Sequence, residues 1–258
     1  TAGAATCNGG ALAVFPVGTD GTIGSAVANG GLSYVPVGIN PTGVTALANG
    51  AAAYVTTYDP TAGLGYVYAF NATSAGALTA AAQSPFSAGV KPFGLAADPT
   101  SRFLYVTDFS QNELIAYGIL DKAVLQPLIN GPFKTGNQPS AIEVDPRAEY
   151  IYLVNELDNT VSAYVIDKAT GTPSAAVNTT GSALNTTGTQ PVAIIIDPGF
   201  GRYVYSANVL DNSLSGFLIN ADTGTLSVTQ NGPYPSVAAP TALASIPHGN
   251  HSIQINQP

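Results

Sequence analysis

The stretch that decides the fold reads Pro92-Phe-Gly-Leu-Ala-Ala-Asp98-Pro99-Thr-Ser-Arg102-Phe-Leu-Tyr-Val-Thr-Asp108, then Phe-Ser-Gln-Asn112-Glu-Leu-Ile-Ala-Tyr-Gly-Ile119. Gly94–Asp98 reads as a short strand of small and apolar residues, and Pro99–Arg102 as a turn. Phe103–Thr107 is a second strand. Glu113–Ile119 alternates apolar and polar residues and is a third. Val124–Leu128 is an outer fourth strand, where Pro127 is tolerated because an edge keeps one side free of ladder hydrogen bonds.

The same order recurs from Pro41, Pro139, Pro191 and Pro240, at a period of about fifty residues. Ala141–Asp145, Tyr150–Asn155 and Val161–Ile166 repeat the three inner strands, as do Ala193–Asp197, Tyr203–Asn208 and Leu214–Ile219. The Pro41 copy is looser, with Val44–Leu47, Ala53–Thr57 and Gly65–Phe70. Stacked units of four short strands are propeller blades. In the innermost strands Val44, Leu95, Ile142, Ile194 and Leu243 are large, whereas Gly43, Gly94, Ala141, Ala193 and Ala242 beside them are small. Strand faces alternate with period two, so large residues of one blade can wedge against small ones of the next.

The fifth copy stops after two strands, Thr241–Ile246 and Ser252–Ile255. Ala11–Val17 resembles a third strand, and Thr22–Ala28, after an Asp20-Gly21 turn, resembles a fourth. The expected fold is therefore all-β: one β-propeller domain over 1–258, with five four-stranded blades. The blades cover 41–91, 92–138, 139–190, 191–239, and 240–258 plus 11–40, after a flexible leader at 1–10. The last blade closes by pairing the N-terminal with the C-terminal strands, which leaves no open sheet edge. The alternative is closure in trans, one copy completing its neighbour's last blade in a dimer or an open filament.

Composition narrows the partners. Charged residues are 9% of 258, and the net charge is −8 with seven Lys and Arg. That is too few cations for a phosphate-tracking surface, so nucleic acid is disfavoured, as is an anionic membrane surface. No apolar run approaches a membrane span. Cys7 is the only cysteine, so no internal disulfide forms, and it reads as a free or intermolecularly paired thiol. The absence of Met suits a mature secreted chain or a fragment. Low charge and Thr/Asn-rich loops fit an extracellular, periplasmic or cell-surface setting. Asn71, Asn178, Asn185 and Asn250 head glycosylation sequons.

Tyr-Val-Thr-Asp108 and Tyr-Leu-Val-Asn155, each led by a strand ending in Asp-Pro, resemble the blades of the lactonase-like propellers with "YVTN" repeats, a family that includes 6-phosphogluconolactonases. Asp158-Asn-Thr-Val161 and Asp211-Asn-Ser-Leu214 match that family's second loop, and the likeness covers about 41 to 246. It implies a propeller and, for activity, lactone hydrolysis. Two departures stand out. The family's enzymes are usually seven-bladed, and their sites gather Arg, His and acidic residues at the central channel. Here Arg102, Arg147 and Arg202 fall in the turns after the first strand, and His248 and His251 in the equivalent last turn, so no catalytic residue carries over.

Glu143 is the one charged residue in the innermost strands, where Thr45, Ala96, Ile195 and Ala244 are its counterparts. A carboxylate there could act as a base with a raised pKa or bind a cation. Glu156 is a second candidate base. The loops between second and third strands gather oxygen ligands, chiefly Asp108, Asn155, Glu156, Asp158 and Asp211, together with Asp59, Asn112, Asn159 and Asn212. Such a face could hold Ca²⁺ or bind a carbohydrate, although Asp and Asn also dominate turns for local reasons. Asp98, Asp145 and Asp197 read as turn residues. No nucleophile-elbow, zinc-protease or phosphate-loop pattern occurs. The reading favoured is a secreted non-enzymatic propeller, an interaction or surface-structure module with itself or another protein as partner. A lactonase-like hydrolase using Glu143 or Glu156 and a carbohydrate- or cation-binding propeller are the alternatives.

Overall fold

The computed structural model describes residues 9–176 and 184–245. Four antiparallel sheets follow one another, and in each the strands step outward in chain order. Blade 1 is Pro41–Ala46, Ala52–Asp59, Leu64–Ala72 and Leu78–Ala80. Blade 2 is Pro92–Ala97, Phe103–Asp108, Glu113–Ile119 and Leu125–Pro127. Blade 3 is Pro139–Val144, Tyr150–Asn155, Thr160–Ile166 and Pro173–Ala175. Blade 4 is Pro191–Ile196, Tyr203–Asn208, Ser213–Ile219 and Leu226–Val228. The blades are not simply four-stranded. Each adds a short fifth strand that pairs with the start of the third: Phe86–Ser87, Phe133–Lys134, Leu184–Thr186 and Tyr234–Pro235. Two- and three-residue pairings carry no alternation, so sequence reasoning has no signal for them.

The wedge of large against small residues is realised. A Cβ on Gly43 would lie 2.6 Å from Leu95 Cδ2, and one on Gly94 would lie 2.8 Å from the Ser140 carbonyl and 3.3 Å from Ile142 Cγ2. Small residues thus let neighbouring inner strands approach. Thr42 fixes the approach by donating from Oγ1 to the Pro92 carbonyl at 2.8 Å. Farther out, each blade turns one face to the next. Tyr54, Val67 and Ala69 of blade 1 pack on Leu104, Val106 and Tyr117 of blade 2. Blade 2 meets Ile142, Ile151 and Leu153 of blade 3 through Tyr105 and Leu114. Blade 3 meets Ile194, Val204 and Phe217 of blade 4 through Tyr152 and Val161. Burial of aromatic and branched side chains between sheets is the main stabilising term.

The Asp-Pro turns behave as the sequence suggests. Asp98 Oδ1 accepts the Arg102 and Phe103 N–H groups, both at 2.7 Å. Asp145 Oδ1 accepts those of Glu149 and Tyr150 at 2.6 and 2.9 Å, and Asp197 that of Gly199 at 3.0 Å. Arg147 Nε bonds Asp145 at 2.8 Å, while Arg102 and Arg202 lie over Phe103 and Phe200.

One seam is imperfect. The hydroxyls of Tyr105 and Tyr152 donate to glycine carbonyls in the next blade, but the Tyr54 hydroxyl is buried without a partner among the described residues. Blade 2 has Asp121–Ala123, a single 3₁₀ turn, where blades 3 and 4 have a longer glycine turn. Removing an unsatisfied buried hydroxyl relieves its desolvation cost. Tyr54→Phe should therefore leave stability unchanged or raise it by about 1 kcal/mol. A thermal melt showing clear destabilisation would mean that the hydroxyl has a partner.

The N-terminal segment is a separate two-stranded sheet packed on blade 1. Ala11–Leu12 pairs with Val35–Pro36, and Val17 bridges Ile23. Leu12, Val14, Val35 and Val37 pack on Val55, Phe70 and Leu78 of blade 1, and the Leu78 N–H donates to Asn29 Oδ1 at 2.6 Å. Of the expected third strand only Ala11–Leu12 is strand, and its partner is Val35–Pro36; the expected fourth, Thr22–Ala28, forms no strand and meets the segment through the single Val17–Ile23 bridge. Residues 241–245 are irregular rather than a strand, since no neighbouring strand ladders with them. The second strand expected at Ser252–Ile255, and with it the seam of the last blade, lies outside the described residues, as do Cys7 and both histidines.

Candidate functional site

Glu143 stands alone on the inner strand of blade 3. It sits opposite Tyr152, in the row that faces blade 4. The side chain is half-buried, and no hydrogen-bond or ion-pair partner reaches its carboxyl among the described residues. Burial without compensation pushes its pKa up from 4.5 to about 7. Among the described residues the inner strand pairs only with Tyr150–Asn155, and Glu143 keeps part of its surface in contact with solvent. A partly exposed carboxyl poised near neutrality can accept a proton from water.

The loops between second and third strands do something else. Asp108 is fully buried and accepts backbone N–H groups from Val90 (2.7 Å), Lys91 (3.2 Å), Ser110 (3.0 Å) and Gln111 (3.1 Å). Asn155, also fully buried, accepts from the Gly136 N–H at 3.0 Å and donates to Thr160 and Ser162 hydroxyls at 2.9 and 2.8 Å. Asp158 accepts the Asn137 backbone and side-chain N–H groups at 2.6 and 2.8 Å. Asp211 accepts the Thr189 N–H, and contact with Thr189 holds its pKa below the ordinary value. Glu156 Oε1 accepts from Gln190 Nε2 at 2.7 Å across the seam between blades 3 and 4. Asn112, Asn159 and Asn212 each accept the N–H just before the next blade's opening proline, from Gln138, Gln190 and Ala239. These oxygens clamp one blade to the linker of the next. Among the described residues no three His, Cys, Asp or Glu side chains group as a metal site.

Of the sequon asparagines, Asn71 is paired in the third strand of blade 1 and Asn185 in the fifth strand of blade 3; both are half-buried. Asn178 and Asn250 lie outside the described residues.

Sequence reasoning missed Lys91. Its ammonium lies over the rings of Phe109 (4.3 Å), Tyr58 (5.5 Å) and Phe93 (5.8 Å) at the seam between blades 1 and 2. The signal was present: Lys91 precedes a blade-opening proline, where the other copies carry Asn40, Gln138, Gln190 and Ala239.

Radially stacked antiparallel blades, each with its innermost strand free on one edge, define a β-propeller. The family model described as lactonase, 7-bladed β-propeller matches residues 94–257, and the chain belongs to that family. A comparison with curated proteins finds no match. Among solved structures, one from Bacteroides fragilis described as a "putative 6-phosphogluconolactonase" superposes with a TM-score of 0.72 at 19% identity, over 90% of this chain and 66% of that one. A Pseudomonas aeruginosa periplasmic gluconolactonase gives 0.67 at 18%, over 88% and 65%. A Lactobacillus plantarum protein gives 0.70 at 15%, over 90% and 67%. The chain spans just under two thirds of the length of the first of these. The expectation of a non-enzymatic module is corrected here, because family and neighbours point to a lactonase-like hydrolase fold. That expectation rested on the lack of a converging Arg, His and acidic cluster in the sequence, which weighs less than a family match over most of the chain.

Proposed function

We propose that the protein hydrolyses a lactone, with Glu143 as general base. The observation that carries the reading is the solitary carboxyl on the inner strand, half-buried and without a partner among the described residues, whose pKa burial raises to about 7. Glu143 takes a proton from water as the water oxygen attacks the ring carbonyl. The bond between the carbonyl carbon and the ring oxygen then breaks, and that oxygen leaves as a hydroxyl after accepting a proton. The products are the ring-opened hydroxy acid and the regenerated carboxylate. The names of the neighbours make sugar-acid lactones the first substrates to try. A periplasmic or extracellular setting suits the low charge and the Pseudomonas neighbour. In this reading 1–258 is one propeller domain, with 240–258 and 11–40 contributing to one blade. Acid release from sugar lactones, followed with a pH indicator, tests the proposal. Glu143→Gln should lower turnover by about 10²–10⁴-fold. Glu156→Gln should stay within a few-fold of wild type. A Glu143→Gln enzyme as fast as wild type, or no turnover of any lactone, contradicts the reading.

A further inference from the structure

The seams between blades 2 and 3 and between blades 3 and 4 are built alike, and the seam between blades 1 and 2 lacks the parts they share. Between blades 2 and 3 the Phe103 ring packs so closely on the Gly171 turn that a Cβ on Gly171 would run into it. The Tyr105 hydroxyl donates to the Gly171 carbonyl at 2.8 Å. Between blades 3 and 4 the Tyr150 ring covers Gly224 in the same way, and the Tyr152 hydroxyl donates to the Gly224 carbonyl at 2.8 Å. An arginine lies over each ring, Arg102 over Phe103 at 4.8 Å and Arg147 over Tyr150 at 5.5 Å. Each of these seams joins one aromatic ring, one carbonyl and one tyrosine hydroxyl.

Between blades 1 and 2 the tyrosine remains and its companions are gone. Tyr54 pairs with Ala69 as Tyr105 pairs with Ala116 and Tyr152 with Ala163, so the three hold one place in their blades. Two residues earlier, Ala52 stands where the other blades have Phe103 and Tyr150. Ala51 and Asn49 stand where they have Arg102 and Arg147. The facing turn is one residue shorter. The Leu120 N–H donates to the Val124 carbonyl at 2.8 Å, whereas Asp167 reaches Thr172 at 3.0 Å and Asn220 reaches Thr225 at 2.9 Å. Ala123 takes the glycine's place, at a φ of +62°. The missing ring leaves a cavity of about 230 Å³. Leu47, Ala52 and Ala123, all buried, form its apolar floor, and Asn71 and Ser101 lie on its rim. Tyr54 belongs to the same packed cluster as the floor, and its hydroxyl is buried without a partner among the described residues. An apolar cavity of about 150 Å³ is enough to hold benzene.

We propose that this seam binds a small neutral aromatic molecule bearing a carbonyl. Its ring takes the space that Phe103 and Tyr150 fill in the other seams. Its carbonyl oxygen accepts the Tyr54 hydroxyl, as Gly171 and Gly224 accept those of Tyr105 and Tyr152. Filling the space restores dispersion contacts to the floor, and the acceptor removes the cost of a buried hydroxyl left unpaired. Asp121 and Lys122, side by side on the rim, carry opposite charges, which suits a neutral ligand. The cavity lies between two described blades, at the end where first strands turn into second, and is separate from Glu143 on the inner strand of blade 3. The proposal stands independently of the hydrolase reading.

Benzamide is the probe, and toluene, which keeps the ring but has no acceptor, is its control. Calorimetric titration of the whole chain should show one benzamide site with a Kd of roughly 1 mM. The double variant Ala52→Phe with Ala123→Gly rebuilds the seam as blades 2 and 3 have it, and glycine suits the left-handed turn. It should abolish binding of both compounds while its melting temperature equals or exceeds that of wild type. Tyr54→Phe should weaken benzamide about 2- to 10-fold and leave toluene unchanged. Absence of benzamide binding up to about 10 mM overturns the proposal. So does binding that the rebuilt seam retains, and so does a Tyr54→Phe variant that binds benzamide as wild type does or weakens both compounds alike. The Tyr54→Phe comparison decides alone if the rebuilt variant does not fold.

Discussion

Asp108→Ala should destabilise the protein by about 3–5 kcal/mol, seen as a lower urea midpoint at unchanged slope. Its carboxylate accepts four backbone N–H groups in a fully buried position. Alanine would strand several of them, and each buried unsatisfied donor costs about 1–3 kcal/mol, less than additively. Asp108→Asn should not rescue fully, because one oxygen becomes an amide nitrogen. The neighbouring blades show why. Asn155 and Asn208 hold this position in blades 3 and 4, and their amide nitrogens donate to Thr160 and Ser162, and to Ser213 and Ser215. In blade 2 those places are Glu113 and Ile115, which offer no hydroxyl beside the amide. An Asp108→Ala loss below about 1 kcal/mol would mean that water or another group replaces the carboxylate.

Glu143→Gln should slow lactone turnover and stabilise the protein, two effects of opposite sense from one substitution. The folded-state pKa near 7 lies above the ordinary 4.5. The stability linked to protonated Glu143 is thus complete below about 4.5 and is lost as pH rises through about 7. Full burial would make that loss about 3 kcal/mol, and partial solvent access reduces it to about 1–2 kcal/mol. Glutamine carries no charge at any pH. The variant should therefore match wild type near pH 4 and exceed its stability by about 1–2 kcal/mol at pH 8. Urea titrations at the two pH values check this. Wild-type turnover should rise with pH through about 7 as the base ionises. A variant less stable than wild type at pH 8 would show that the ionised carboxylate has a favourable partner.

Much of the fold is legible in the sequence because the repeat states it five times. Pro92, Asp98-Pro99 and the Tyr105 strand fix one unit, and every copy must agree with its neighbours for the seams to pack. The alternation of Gly94 with Leu95 foretold the close inner packing. The short fifth strands escaped, because two residues such as Phe133–Lys134 have no period to read. Of the proposed site, only Glu143 stood out in sequence, because its charge is anomalous on an inner strand. Asp108, Asn155, Asp158 and Asp211 looked alike in sequence whether they bind ligand or cap turns, and only the distances to backbone N–H groups separate the two. Lys91 was passed over because its significance comes from Tyr58, Phe93 and Phe109, which converge only in three dimensions.

Carbon-13 NMR of glutamate-labelled protein tests the functional account most directly. The chain has four glutamates, so Glu143→Gln assigns the Glu143 carboxyl by its disappearance. The account predicts that this carboxyl titrates with a midpoint near 7, and that turnover follows the same midpoint. A midpoint near 4.5, with turnover indifferent to the ionisation of Glu143, would contradict it.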